Sequence, residues 1–240
     1  MNTNYSENNH LVLVGKITSE KKLSHEIYGE RFYTFDLEVP RLSDFSDTIP
    51  ITISERLLIS VPAEIGKEVT VEGQFRSYNT YEENRSKLVL TVFAKEMMEN
   101  VESEEEENKG ITSNEVRLVG FICKPAIYRK TPFGREIADL LLAVNRAYNK
   151  SDYIPCISWG RNARFCDALP VGSEIEIVGR IQSRKYVKTL EDGTQLHKVA
   201  YEVSVASMQL VRSEDEIVTE DVEIVETENE DTENVENAVM

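Results

Sequence analysis

The sequence lacks what reaction chemistry and membranes require. Its three histidines, His10, His25 and His197, are scattered without ligand spacing, and no phosphate-cradling glycine loop or nucleophile motif accompanies them. No catalytic constellation, metal site or cofactor is expected. Cysteine is as scarce: Cys123, Cys156 and Cys166 are an odd set without a Cys-x-x-Cys pair, each in an apolar or strand-like context. They read as buried free thiols rather than as metal ligands or a disulfide. No run of about eighteen apolar residues occurs, so no membrane span is encoded. Residues Met1-Asn2-Thr3-Asn4-Tyr5-Ser6 have neither a basic start nor an apolar stretch, so no signal peptide is expected either. A cytoplasmic location is the expectation.

Positive charge is missing from whole regions. The formal net charge is −16, yet residues 114–212 carry 15 Lys and Arg against 10 Asp and Glu, while residues 213–240 carry no cation against 12 acids. Residues 9–98 carry 11 against 14, and residues 99–113 carry 1 against 6. Only 114–212 is basic. A positive region beside a strongly negative tail suits both a polyanionic partner and intramolecular attraction.

What the sequence does hold is a repeat. Asn9-His10-Leu11-Val12-Leu13-Val14-Gly15 returns 105 residues later as Asn114-Glu115-Val116-Arg117-Leu118-Val119-Gly120. The same shift takes Tyr28-Gly29 to Phe133-Gly134, Val39-Pro40-Arg41 to Val144-Asn145-Arg146 and Ile49-Pro50 to Ile154-Pro155. A shift of 106 takes Gly66 to Gly172 and Gly73 to Gly179. Anchors that keep register with a single one-residue adjustment mark a duplicated domain. Two domains of ordinary size fit the 240 residues.

Each copy reads as a strand ending near a glycine, a turn, a second strand (Phe32 to Val39; Glu136 to Val144), a loop and a third strand. A helical turn follows, Arg56 to Ala63 or Arg161 to Leu169, closed by Pro62 or Pro170. Two strands finish each copy, near Lys67 to Val71 and Lys87 to Phe93 in the first, and near Glu174 to Ile177 and Val199 to Met208 in the second. A long hairpin, Arg184 to Thr194 with Asp192-Gly193 as its turn, separates the last two. Five strands with one helix after the third is the order of an OB barrel. The expected architecture is all-β: 1–8 disordered, 9–98 a diverged OB domain, 99–113 an acidic spacer, 114–212 a second OB domain, and 213–240 a disordered acidic tail.

The third strand of the second copy, Tyr153-Ile154-Pro155-Cys156-Ile157-Ser158-Trp159, carries the main functional signal. Side chains alternate along a strand, so Tyr153, Ile157 and Trp159 share one face while Ile154, Cys156 and Ser158 share the other. In the first copy Ile49, Ile51 and Ile53 are expected inside and Thr48, Thr52 and Ser54 outside, which assigns Tyr153 and Trp159, the only tryptophan, to the outward face. Exposed rings flanked by cations suit stacked bases on a phosphate chain. The candidate stacking residues are Tyr148, Tyr153, Trp159 and Tyr186. The candidate phosphate contacts are Arg135, Lys150, Arg161, Arg164, Arg184, Lys185 and Lys188. The competing reading is that these rings cover a barrel wall or a subunit interface. Phe133-Gly134 is read as a loop finger and Phe165 as core. The first copy has Ser43, Thr48 and Ser54 opposite Tyr148, Tyr153 and Trp159. Tyr28, Tyr78 and Tyr81 remain there as rings, and the copy is expected to serve mainly in assembly.

Residues 114–212 resemble the bacterial single-stranded DNA-binding protein family. Four stretches carry the resemblance: Asn114-x-Val116-x-Leu118-Val119-Gly120, Leu142-Ala143-Val144-Asn145-Arg146, Ile157-Ser158-Trp159-Gly160-Arg161 and Val178-Gly179-Arg180-Ile181-Gln182-Ser183-Arg184-Lys185-Tyr186. The resemblance implies an OB fold, base stacking at aromatic positions, and assemblies presenting four OB domains. With residues 9–98 as a diverged second domain, a homodimer would reach that number. It also implies a nucleoid-associated, non-enzymatic role in coating single-stranded DNA during replication, recombination or repair. The tail departs from the family pattern: it ends Glu236-Asn237-Ala238-Val239-Met240 without a Pro-Phe tip, which bears on the docking of replication or repair proteins. An OB scaffold for partner proteins and a single-stranded RNA-binding protein are the alternatives.

Overall fold

Apolar residues at alternate positions set the strands, and the way those strands pair closes each half of the chain on itself. The computed structural model describes residues 8–82, 85–100, 113–189 and 193–211. The expected disordered N-terminus, acidic spacer and acidic tail lie almost wholly outside the described residues, as does Asp192 of the expected turn. The first half runs β1 (Asn9–Ile17), β2 (Lys22–Ile27), β3 (Glu30–Pro40), β4 (Ser46–Ser54), α1 (Glu55–Ser60), β5 (Glu68–Glu82) and β6 (Arg85–Glu99). The second runs β7 (Asn114–Ile122), β8 (Ile127–Lys130), β9 (Glu136–Arg146), β10 (Lys150–Trp159), α2 (Arg161–Ala168), β11 (Glu174–Thr189) and β12 (Gln195–Leu210).

β1 pairs with β5 along one edge and with β3 along the other, closing the circuit β1–β3–β4–β6–β5. β7 does the same with β11 and β9, closing β7–β9–β10–β12–β11. Closure removes free sheet edges. It also demands glycine where strands cross: a Cβ at Gly15 would stand 2.3 Å from the Glu38 carbonyl oxygen, and one at Gly120 2.5 Å from that of Ala143. Inside the circuits lie residues such as Leu13, Ile51 and Phe75 in the first half and Leu118, Ile154 and Ile177 in the second, all fully buried.

The expected order of strands and helix holds in both halves, with four differences from the expectation. β2 and β8, absent from the expectation, pair outside β3 and β9 as short hairpins. The last two strands of each half extend well past the predicted segments as paired arms, β5 with β6 in the first half and β11 beside β12 in the second. Thr52, expected to face solvent, is buried, because its hydroxyl lies 2.8 Å from that of Thr91 on β6 and so needs no water. Phe165 is only half-buried; Ala163 and Cys166 form the core face of α2.

The two halves share one continuous sheet. β1 and β7 run antiparallel with Leu11 opposite Val116, which are the same position of the repeat. An approximate two-fold axis therefore passes between them. The Val14 N–H donates to the Ser113 carbonyl and the Val119 N–H to the Asn8 carbonyl, both at 2.8 Å, a pair of bonds related by that axis.

A second related pair is ionic. Asp47 and Asp152, fully buried on β4 and β10, each accept a backbone N–H from the opposite half, from Ser183 and Ser77 respectively, both at 2.7 Å. Asp47 also accepts from Arg41 Nε and Nη2 at 2.7 and 2.6 Å. Burial pushes its carboxyl upward, but the Arg41 and Ser183 hydrogen bonds outweigh this and hold it below the usual carboxylate value. For Asp152 burial is the largest influence and outweighs the Ser77 N–H, the poorly aligned Arg146 Nε at 3.3 Å and Arg76, so the carboxyl is raised.

Candidate nucleic-acid interface

β10 presents its rings as the alternation requires. Tyr153 is 46% and Trp159 41% exposed, while Ile154, Cys156 and Ser158 on the other face are buried. Ile157, on the same face as the rings, is itself covered where β10 runs beside β12. Trp159 lies six positions beyond Tyr153, roughly 20 Å along a strand, so one base could not span both rings. They can serve as separate platforms for bases along one extended strand.

Local sequence explains why only the second half carries the tryptophan. Its counterpart Ser54 caps α1, its hydroxyl accepting the Arg56 N–H at 3.1 Å. In the second half Gly160 takes the cap position with φ +54° and no side-chain cap, which frees residue 159 to be a large ring.

Tyr148 is 94% exposed in the loop between β9 and β10. Its φ of +62° and the +53° of Asn149 place two consecutive non-glycine residues in the left-handed region, at a cost of roughly 1–2 kcal/mol each. The tight turn these residues form leaves the ring without a protein neighbour to cover it. Tyr186, on β11, lies under the Arg184 guanidinium, 5.9 Å from the ring centroid. It also lines a groove of about 820 Å³ between the halves, where Tyr78, Leu88 and Lys87 of the first half face Tyr186, Leu196 and Lys198 of the second.

The predicted cations fall into three groups. Arg161 and Arg164 on α2 follow Trp159, with Arg135 nearby on the β8–β9 turn; Glu136 lies 3.6 Å from Arg164 and part-neutralises it. Arg184 and Lys185 accompany Tyr186, and Glu202 lies 3.8 Å from Arg184. Lys150 stands with Tyr148 at a separate cleft. The side chain of Lys188 and that of Tyr81 lie outside what the structure describes. Phe133 stands bare at the tip of the β8–β9 turn, as a loop finger would.

Sequence reasoning missed Tyr78 as a companion of Tyr186, and it missed Arg76 and Lys95, which share the Lys150 cleft. It also missed Leu42 and Phe45, both well exposed, beside Ser43 in the first-half loop that corresponds to the Tyr148 loop. The signal for Phe45 was available, since the 105-residue shift sets it opposite Lys150. Among the described residues no group of three or more His, Cys, Asp and Glu is placed to hold a metal ion. Cys156 and Cys166 are buried free thiols and Cys123 is half-buried; burial pushes all three thiols up.

Fold and surface together define a mostly-β binding protein whose open faces set aromatic rings among cations. Comparison with known proteins agrees. The model of the Single-strand binding protein family matches residues 113–211. Single-stranded DNA-binding protein B of Bacillus subtilis is 33% identical over 94 residues, covering 35% of this chain and 79% of that relative. Single-stranded DNA-binding protein A of the same organism is 38% identical over 80 residues, covering 30% of this chain and 46% of the relative. The chain spans about half the length of several curated relatives it matches. The wild-type single-stranded DNA binding protein from Thermus aquaticus shares the fold across both halves, with a TM-score of 0.67 at 18% identity, over 85% of this chain and 93% of that one. This chain belongs to the single-strand binding protein family.

Proposed function

We propose that the protein coats single-stranded DNA with little sequence preference, as two tandem OB barrels, in replication, recombination or repair. Bases stack on Tyr148, Tyr153, Trp159 and Tyr186, and Arg135, Lys150, Arg161, Arg164, Arg184 and Lys185 neutralise the phosphates between them. The observation that carries this reading is the open placement of Tyr153 and Trp159 on the outer face of β10, with cations at both ends of the strand. Each stacked base is worth about 1–3 kcal/mol, so two or three platforms suffice for tight binding. A homodimer would supply four barrels, and the acidic tail would recruit replication or repair proteins in the cytoplasm.

Titration with oligo-dT tests this directly. Stacking quenches the single tryptophan, and added salt reverses the quench with a slope of about 0.7 per neutralised phosphate. A tryptophan that does not respond, in a protein that instead captures partner proteins, points to a scaffold and sinks the coating role. Tighter binding to oligo-U than to oligo-dT points to RNA, since the sugar is read by contacts other than stacking.

A further inference from the structure

A cleft of about 440 Å³ lies beside the approximate two-fold axis, lined by Arg76 and Lys95 of the first half and by Arg146, Tyr148 and Lys150 of the second. Four cations thus line the cleft, and the buried Asp152 carboxylate lies behind it, 3.3 Å from Arg146 Nε. Arg76 is held by its own surroundings: its guanidinium lies 4.0 Å from the Phe93 ring centroid, and its Nε and Nη2 donate to Gln74 Oε1 at 3.2 and 2.8 Å. Burial and the facing Arg146 lower the Arg76 pKa, the mark of two guanidiniums that repel one another, and Asp152 only partly offsets them. Among the described residues no carboxylate lies within ion-pair distance of Lys95 or Lys150.

The axis supplies an internal control. The counterparts of these positions are Gln182 for Arg76 and Phe45 for Lys150, by the shifts of 106 and 105. On the closing strands, Ile51 pairs with Val92 and Cys156 with Val203, which sets the shift at 111 and puts Ala206 opposite Lys95. The corresponding site thus lacks three of the four cations. Its Asp47 is matched by Arg41 and Arg180, and Glu202 occupies Gln182 Nε2 at 2.7 Å. On one side of the axis four cations share the single carboxylate of Asp152, whereas on the other two, Arg41 and Arg180, meet that of Asp47. A fixed excess of cations in a partly desolvated cleft is a site for an anion.

We propose that this cleft binds a backbone phosphate of the single strand, with Arg76 and Lys95 of the first half completing a site that Arg146 and Lys150 begin. The bare Tyr148 ring at its edge takes the adjoining base. The inference rests on the coating role proposed above and extends it: the strand crosses from the second half onto the first, which takes part in binding rather than in assembly alone.

Lys95→Gln tests it, because Lys95 is exposed and its loss leaves the fold intact. Removing one phosphate contact to a single strand lowers the slope of log affinity against log salt by about 0.7, which is about fivefold in affinity near 0.1 M salt. That is the expected change for the full-length variant titrated with oligo-dT. Lys16→Gln, an exposed lysine at the far end of β1 paired with Glu68 at 3.4 Å, is expected to bind as wild type with an unchanged slope. Wild-type affinity and slope in Lys95→Gln overturn the cleft while leaving the coating role standing. Equal weakening in both variants shows a diffuse field instead of a site, and also overturns it. A wild-type protein that fails to bind oligo-dT refutes the coating role itself.

Discussion

Asp47 and Asp152 are one position of a repeat placed in two electrostatic settings, and replacing each by asparagine is expected to have unequal effects. In Asp47→Asn an amide takes the place of a carboxylate that accepts four close hydrogen bonds: two from Arg41 at 2.6 and 2.7 Å and two from Ser183, N–H at 2.7 Å and hydroxyl at 3.1 Å. Arg41 and Arg180 are left without their anion inside the junction. Breaking a buried pair by removing one partner costs about 3–5 kcal/mol, and because the Arg41 side chain keeps 27% exposure the lower end applies, about 3 kcal/mol. At about 2–4 °C per kcal/mol for a chain of this size, Tm falls by about 6–12 °C. Asp152→Asn keeps an oxygen for the Ser77 N–H and gives up the poorly aligned Arg146 contact and a longer-range attraction to Arg76, so its cost is smaller, about 1 kcal/mol at pH 7. The pH dependence has opposite signs. Asp47, held below its ordinary 3.8, contributes stability fully present above that value and lost as pH falls through its lower folded value. Asp152, raised above 3.8, contributes stability present below 3.8 and lost as pH rises through its folded value, so the cost of Asp152→Asn grows as pH falls from 6 toward 4. Thermal melts followed by circular dichroism at both pH values check this. A Tm loss below about 2 °C for Asp47→Asn at pH 7, or a larger loss for Asp152→Asn than for Asp47→Asn, refutes the reasoning.

Trp159→Ala removes one stacking platform and is expected to weaken oligo-dT binding by about 1–3 kcal/mol, some 5- to 150-fold, read by anisotropy of a labelled oligonucleotide. Gly120→Ala sets a methyl group against a backbone carbonyl at the β7–β9 crossing and is expected to cost about 2–3 kcal/mol in urea unfolding. Gly134→Ala, at φ +75° in open space, costs only about 1 kcal/mol, and equal losses in the two glycine variants would show that closure is not what Gly120 serves.

Much of the fold was legible because it rests on local pattern. Leu11, Leu13 and Ile17 fall at alternate positions between less buried neighbours, and the 105-residue echo at Val116, Leu118 and Ile122 carries the same reading into the second half. The outward face of β10 was legible for the same reason. What alternation cannot show is a partner from far away. Nothing in the pattern singled out Asp47 or Asp152, yet each is buried, satisfied by the backbone N–H of a serine 136 or 75 residues distant. Thr52 was misplaced because its partner Thr91 belongs to another strand. Arg76 and Lys95 sit in a half whose net charge is negative, so composition pointed away from them; only pairing of β1 with β7 brings them to Arg146 and Lys150.

The β1–β7 pairing has one more consequence. Two separate copies related by strict symmetry must wear identical surfaces, and neither can change without the other. Fusing both into one polypeptide lifts that constraint while leaving the docking geometry in place, so Phe45 and Lys150, or Gln182 and Arg76, were free to diverge. A symmetric pair looks the same to a strand threaded 5′ to 3′ and to one threaded in reverse. This pair does not, and its surface has a head and a tail on which a directional polymer can be laid in a preferred sense.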